Sequence, residues 1–152
     1  MKSLALIPLA LSAVVALGLA PREDKKLDGD IAKLQGKWTA KVGPENNIPL
    51  VVEIKEKKLS ILVSLPDQGD IMIEGQIALN EKTSPKEVDW LKFTGPNGDD
   101  IPDNKGIYEI NGDEWKVCNG GPGNDRPKEF KEAGEQQRVV IFTRVKDKER
   151  TK

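Results

Sequence analysis

The chain has 152 residues with nearly balanced charge, 24 basic and 25 acidic side chains, and it contains one cysteine and no histidine. This composition gives no basic stripe for a nucleic acid, and it excludes Ser-His-Asp catalysis, Cys-His catalysis and histidine-ligated metals. The single cysteine, Cys118, excludes an internal disulfide and a cysteine-rich zinc site. Binding domains, structural domains and enzymes that use Asp, Glu, Tyr or the thiol remain.

The first twenty residues have the pattern of a signal peptide. Lys2 precedes an apolar run from Leu4 to about Leu17, and small residues up to Ala20 fit the cleavage rule. The run is shorter than the roughly 20 residues that a transmembrane helix needs, which favours a cleaved signal over an uncleaved anchor. We therefore expect export to the periplasm or the outside of the cell, with no membrane span after cleavage.

The segment that follows predicts a short helix over residues 28–36. Asp28 can cap its N-terminus, Ile31 and Leu34 lie on one face, and Gly36 ends it. Because so short a helix is unstable alone, we expect it to dock on the main body.

From Gly36 onward, apolar and polar residues alternate with a period of two, which is typical of half-buried β-strands. Short strands with local connections favour an all-β fold, an eight-stranded antiparallel meander closed into a barrel. The eight predicted strands are 37–42, 50–55, 59–65, 71–79, 88–93, 106–110, 114–118 and 138–144.

The breaks between strands carry turn chemistry. Asn111 and Gly112 predict a two-residue hairpin in which both residues have positive φ. Residues 119–124 predict a longer loop, and the polar segment 126–134 is compatible with one helical turn. The chain shows no internal repeat, so it divides into a signal peptide at 1–20, a tether at 21–27, one barrel domain at 28–146 and a polar tail at 147–152.

Trp38 in the first strand and Arg144 at the end of the last strand are candidates for a structural clasp. These two strands are neighbours in a closed barrel, and a guanidinium stacked on an indole is a favourable cation–π pair. The alternative is two unrelated residues, one in the core and one on the surface.

An oxygen-rich segment near residue 100 is the only candidate cation site. Its residues lack the spacing of an EF-hand, so a solvated loop is the main interpretation and a weak cation site the alternative. The loop Gly120–Gly123 lacks the Lys-Ser/Thr of a phosphate-binding loop. We therefore predict no metal and no cofactor. The members of the oxygen-rich segment are Asn97, Asp99, Asp100, Asp103 and Asn104.

Cys118 ends a strand pattern, so it is either a buried small hydrophobe or a free thiol for an intermolecular link. Three aromatic residues, Trp90, Tyr108 and Trp115, are interpreted as core or barrel-end packing, with ligand contact as the alternative. No spacing of carboxylates, Tyr108 or Cys118 identifies a catalytic pair.

Several blocks of the sequence resemble a known family. Residues 30–38, Asp-Ile-Ala-Lys-Leu-Gln-Gly-Lys-Trp, are similar to the Leu-x-Gly-x-Trp opening of lipocalin-like domains. Further blocks follow in the same order at 84–89, 106–118, 125–130 and 139–144. Together they resemble a family of small exported domains of uncharacterised role, found mainly in planctomycete bacteria.

The resemblance implies a lipocalin-like barrel with a short leading helix, in which Trp38 packs against Arg144. It implies no ligand. The chain departs from the family pattern at Trp90 and Trp115, where aliphatic residues are more usual, and in the loop 95–105, which is rich in Pro, Asn and Asp.

Two functions are consistent with these observations. The first is an exported lipocalin-like binding module for a small apolar ligand inside the barrel, with no ligand-binding residues assigned. The second is a structural or protein-interaction domain of the cell envelope, with a barrel filled by its own side chains. We predict no catalytic residues and no enzymatic activity.

Overall fold

The computed structural model describes residues 26–146 of the chain. The predicted signal peptide at 1–20, the tether up to residue 25 and the polar tail at 147–152 lie outside the described residues. Between residues 26 and 146, no helix combines the length and the apolar character that crossing a bilayer would require.

One short helix and nine strands form within residues 26–146. They are the helix α1 at Gly29–Lys33 and the strands β1 at Gly36–Val42, β2 at Ile48–Lys55, β3 at Lys58–Leu65, β4 at Gly69–Asn80, β5 at Lys86–Thr94, β6 at Asp100–Ile101, β7 at Asn104–Asn111, β8 at Glu114–Pro122 and β9 at Arg138–Arg144.

Eight of these strands close into an antiparallel ring. Each strand from β1 to β5 pairs with the next, β5 pairs with β7, and β7, β8 and β9 continue the meander. The ring closes where β9 returns to β1, with Trp38 opposite Arg144 and Thr39 opposite Thr143. The two-residue β6 pairs with the end of β5, outside this ring. The prediction of an all-β, eight-stranded antiparallel barrel is confirmed.

The period-two alternation decides which side chains fill the barrel. Leu50, Val52 and Ile54 of β2 face the interior, while Val51 and Glu53 between them face outward. Successive side chains of a strand point to opposite faces, so a strand with this pattern can bury only one set. The interior is therefore mainly aliphatic and aromatic, and most charged side chains lie outside.

One irregularity in the ladder between β4 and β5 shapes the interior. The register shifts between Glu74 and Gln76, and a Cβ atom on the intervening Gly75 would lie 2.6 Å from the ring of Phe93. Because glycine leaves that space empty, the Phe93 ring packs inside the barrel. Lys92 has a positive φ of 53° in the same kink.

The helix α1 packs against one end of the barrel. Asp28 occupies its N-cap position, but the Asp28 side chain makes no capping hydrogen bond. Leu34, at the C-cap, is fully buried in the core, and Ile31 packs against it. The helix ends before Gly36, which already belongs to β1.

The predicted geometry of the hairpin between β7 and β8 is wrong. Asn111 pairs with Glu114, so the two turn residues are Gly112 and Asp113. Of the predicted pair, only Gly112 has a positive φ, 62°. A turn of type II′ needs positive φ only at its first central residue, which is where this hairpin places its glycine.

No helical turn forms in residues 126–134, although the sequence is compatible with one. The segment 123–137, which we call the strap, instead crosses the outside of β7 and β8, where Arg126 contacts β7 and Phe130 and Lys131 contact β8. Arg126 donates to the backbone oxygen of Gly106 at 2.6 Å and to Asp89 Oδ1 at 2.7 Å. Pro127 follows Arg126 directly and disfavours helical backbone at that residue, and the strap continues through bends to a turn at residues 134–136.

Candidate functional site

The end of the barrel covered by α1 is filled by large side chains. Trp38, Tyr108 and Trp115 are at most 1% exposed. The indole N–H of Trp38 donates to the backbone oxygen of Leu34 at 2.9 Å, which ties the strand to the end of the helix. We call this the closed end.

An aromatic stack runs from the closed end toward the middle of the barrel. The Trp115 ring meets Trp38 edge-on, with centroids 5.8 Å apart, and it stacks on Phe142 at 4.8 Å and on Trp90 at 5.7 Å. Such offset and edge-to-face arrangements add to the stabilisation from burial alone. Trp115 and Tyr108 therefore serve core packing, as the sequence interpretation favours.

An ionic network centred on the buried Asp30 joins α1 to the barrel wall. The Asp30 carboxylate is 2% exposed and accepts hydrogen bonds from Lys33 at 2.8 Å, Lys86 at 2.6 Å and the Tyr108 hydroxyl at 3.0 Å. Burial on its own raises the pKa of Asp30, but these three donors outweigh it and lower the pKa to about 2. Burial and the same hydrogen bond raise the pKa of Tyr108 far above its usual value.

The structure brings Trp38 and Arg144 together at the seam of the ring. The guanidinium carbon of Arg144 lies 4.1 Å from the centroid of the Trp38 ring. Its nitrogens also donate to the backbone oxygens of Lys33 and Gln35, at 2.5 and 3.0 Å, and lie 3.3 Å from Asp113. Arg144 thus joins the last strand to the first strand and to the end of the helix.

The opposite end of the barrel contains an apolar cavity of about 310 Å³. Its deep wall is the far side of the aromatic stack, formed by Trp90, Phe93 and Phe142. Among residues 26–146, no charged side chain lines the cavity. Its aliphatic wall comes from six strands and consists of Val42, Leu50, Val52, Ile61, Val63, Ile73, Ile101 and Val140. We call this the open end.

Two asparagines supply the hydrogen-bonding side chains of the cavity wall. Asn119 Oδ1 accepts a hydrogen bond from the Trp90 indole N–H at 2.7 Å. Asn104 Oδ1 accepts from the backbone N–H of Gly121 at 3.0 Å. The Asn119 side chain lies against Gly106 of β7. A Cβ atom on Gly106 would be 2.4 Å from Asn119 Oδ1, so the glycine leaves room for this side chain.

The oxygen-rich segment near residue 100 is dispersed. Asp103 Oδ1 accepts from the Lys92 backbone N–H at 3.1 Å, Asp100 lies in β6, and Asn104 turns into the barrel. In the described part of the chain, no group of three or more His, Cys, Asp or Glu side chains is placed to hold a metal ion.

Cys118 lies on the outer face of β8, beneath the strap. The residue is fully buried, and its Sγ atom is 3.6 Å from the backbone oxygen of Lys131. Burial raises the pKa of this thiol, so it stays protonated at neutral pH and packs as a small apolar side chain.

A larger hollow of about 700 Å³ lies between the end of β1 with the turn that follows it and the end of the strap with the start of β9, and it shares Val42 and Val140 with the cavity at the open end. Charged or exposed side chains such as Lys41, Glu135 and Arg138 line it, so it lacks the apolar enclosure of the open end. The open end is the better candidate for a ligand site, since it combines concavity, apolar walls and few polar groups.

The chemistry available at the open end is binding by contact and hydrogen bonding. Trp90 is the one aromatic residue of the three singled out from the sequence that lines the cavity. Asn119 lay within the predicted loop and Asn104 within the oxygen-rich segment, and neither was singled out as a ligand contact. Comparison of the chain with protein-family models, curated proteins and solved structures finds no match.

Proposed function

We propose that this protein is an exported lipocalin-like binding module that holds a small apolar ligand in the open end of its barrel. The observation that carries the proposal is the uncharged cavity of about 310 Å³, set in a barrel whose other end is filled. Cavities from about 300 Å³ upward, with apolar walls and a few polar groups, are typical of small-molecule sites.

The division of the barrel supports binding over a purely structural role. A domain filled by its own side chains gains most from close packing, since an apolar void forfeits contacts. Here Leu50, Ile61 and Ile73 are only partly buried and face a common space. Covering apolar surface contributes about 25 cal/mol per Å², so an apolar ligand is stabilised there.

Export and family membership belong to the same proposal. Residues 1–20 are a cleaved signal peptide, and the domain acts in the periplasm or outside the cell without catalysis. The antiparallel meander and the contact between Trp38 and Arg144 support a place among the small exported lipocalin-like domains. Intact mass of the protein recovered from the exported fraction reports whether residues 1–20 have been removed.

The proposal is tested with a panel of lipids, fatty acids and pigments, read by native mass spectrometry and thermal shift. A ligand that binds only the folded state raises the melting temperature by mass action. Leu50→Trp fills the cavity and should abolish the shift. Val51→Trp places the same bulk on the outer face of the same strand, and it should keep the shift.

Two outcomes would contradict the proposal. One is no bound species and no shift from any member of the panel. The other is binding that Leu50→Trp and Val51→Trp affect equally. Either outcome favours the alternative, a structural or protein-interaction domain of the cell envelope, which cross-linking in the envelope fraction would then examine.

A further inference from the structure

We infer that the ligand of the open end is uncharged and presents a hydrogen-bond acceptor, such as a carbonyl oxygen, to the side-chain amides of Asn104 and Asn119. This inference rests on the proposed function, because it specifies the chemistry of a ligand in the same cavity. The reason is that the protein already uses the oxygen atom of each amide as an acceptor and leaves the nitrogen atom without an acceptor among the described residues.

The protein itself fixes the orientation of both amides. Asn119 meets the indole N–H of Trp90, and Asn104 meets the backbone N–H of Gly121. Both partners can only donate, so the amide atom that each one meets must be the carbonyl oxygen. The NH₂ group of each asparagine is thereby left for another partner.

Within the described part of the chain, those two NH₂ groups have no acceptor. Across residues 26–146, neither Nδ2 atom donates a hydrogen bond, and neither is sealed inside the protein. Asn104 lies opposite Trp90 in the ladder, and Asn119 lies opposite Gly106 on the next strand. Both amides therefore lie on the same side of the cavity wall, and each can donate hydrogen bonds to a ligand.

The wall also restricts the charge of the ligand. None of the described residues that line the cavity is basic, so a carboxylate inside it would lose water without gaining a cation. Burying an ionised group without a partner is far more costly than burying a carbonyl that finds a hydrogen bond. The chemistry favours a neutral acceptor on an apolar skeleton, with the skeleton against Trp90 and the aliphatic wall.

Three naphthalenes of the same size provide the probes. One carries an acetyl group, one an isopropyl group and one a carboxylate. We expect the acetyl compound to bind about threefold to tenfold more tightly than the isopropyl compound, because its oxygen accepts from the free amides. The carboxylate should bind most weakly. Titration calorimetry gives the affinities, and the NMR signals of the two side-chain NH₂ groups report the contact.

Matched variants locate the effect. Asn119→Asp and Asn104→Asp keep the oxygen that accepts from Trp90 or Gly121, but they replace the NH₂ donor with an acceptor. Each should reduce the affinity for the acetyl compound about tenfold and leave the isopropyl compound nearly unchanged. Asn97→Asp, in an exposed turn, makes the same chemical change away from the cavity and should alter neither affinity.

The outcomes separate this inference from the function on which it rests. Equal affinity for the acetyl and isopropyl compounds, preference for the carboxylate, or no binding by any of the three would overturn the inference. The proposed function is judged by the ligand panel and by Leu50→Trp, so it stands if panel ligands still enter the cavity. If no panel ligand binds and the acetyl compound is not preferred, both the inference and the proposed function are overturned.

Discussion

The two ends of the barrel are built from the same strands but packed differently. On β2, Ile54 is 1% exposed at the closed end, whereas Leu50, four residues away, is only partly buried at the open end. The closed end also contains the ionic network of Asp30 and the contact between Trp38 and Arg144. The stabilising contacts are thus concentrated at the closed end, so the protein can tolerate an unfilled cavity at the open end.

The largest expected effect concerns Asp30 at the closed end. Its folded-state pKa of about 2 lies below the usual 3.8, so its stabilisation is fully present above about pH 4 and is lost as the pH falls toward about 2. The shift corresponds to about 2 kcal/mol in the free energy of unfolding. Urea denaturation at a series of pH values measures this loss.

Asp30→Asn serves as the control. At neutral pH the variant should be less stable by about 2 kcal/mol, since the amide cannot replace the paired carboxylate. Below about pH 4 its stability should fall less steeply than that of the original protein. Parallel curves for the two proteins would show that Asp30 is not the source of the pH dependence.

A smaller effect is expected for Arg144. Arg144→Lys keeps the charge but loses the flat contact with Trp38 and one or both hydrogen bonds to the helix end, so it should cost about 1–2 kcal/mol. Arg138, at the open end of the same strand, donates to the backbone oxygens of Gly134 and Gln137 but is exposed. Arg138→Lys should change the free energy of unfolding by less than about 0.5 kcal/mol.

Guanidinium denaturation of both variants compares the two ends of β9 directly. If Arg144→Lys and Arg138→Lys lower the free energy of unfolding equally, the contacts of Arg144 with Trp38 and the helix end are no more stabilising than those of Arg138 at the open end. A loss confined to Arg138→Lys would reverse the comparison between the ends.

The smallest expected effect compares two isoleucines. Ile54→Val removes a methyl group from the closed end and should cost about 1 kcal/mol, because the packed surroundings cannot collapse around the gap. Ile61→Val removes one from the cavity wall, where contacts are already missing, and should cost less than about 0.5 kcal/mol. Thermal unfolding of the pair measures the difference, and a larger loss for Ile61→Val would argue against an empty space beside it.

The strands were predictable because burial on one face imposes a period of two. In the structure, residues of one parity, such as Val52 of β2 and Leu59 and Ile61 of β3, face the interior as this alternation predicts. The turn at Gly112 was misplaced by one residue because Asn-Gly favours a turn but does not fix the register. The path of the strap was not predictable, because it depends on Arg126 contacting β5 and β7, which no local pattern reveals.

The site was less predictable than the fold. Asp30 contacts Lys86 and Tyr108, which are 56 and 78 residues away, so only the tertiary structure brings them together. Asn104 and Asn119 stand in turn-rich sequence, where asparagine is ordinary. Their inward orientation follows from strand parity, since Asn119 continues the inward series of Trp115 and Val117 on β8. Extending the predicted strand 114–118 by one residue would have included Asn119 on the inward face.

The seam between β1 and β9 joins strands that are far apart in the sequence. The hydrogen bond from Arg144 to the backbone oxygen of Gln35 joins residues 109 positions apart. The ladder between β1 and β9 contains only two residue pairs, Trp38 with Arg144 and Thr39 with Thr143. If this seam parted, the ring would become an open sheet with two bare edges, and bare edges recruit strands from other chains. The contact between Trp38 and Arg144 therefore also protects the protein against aggregation.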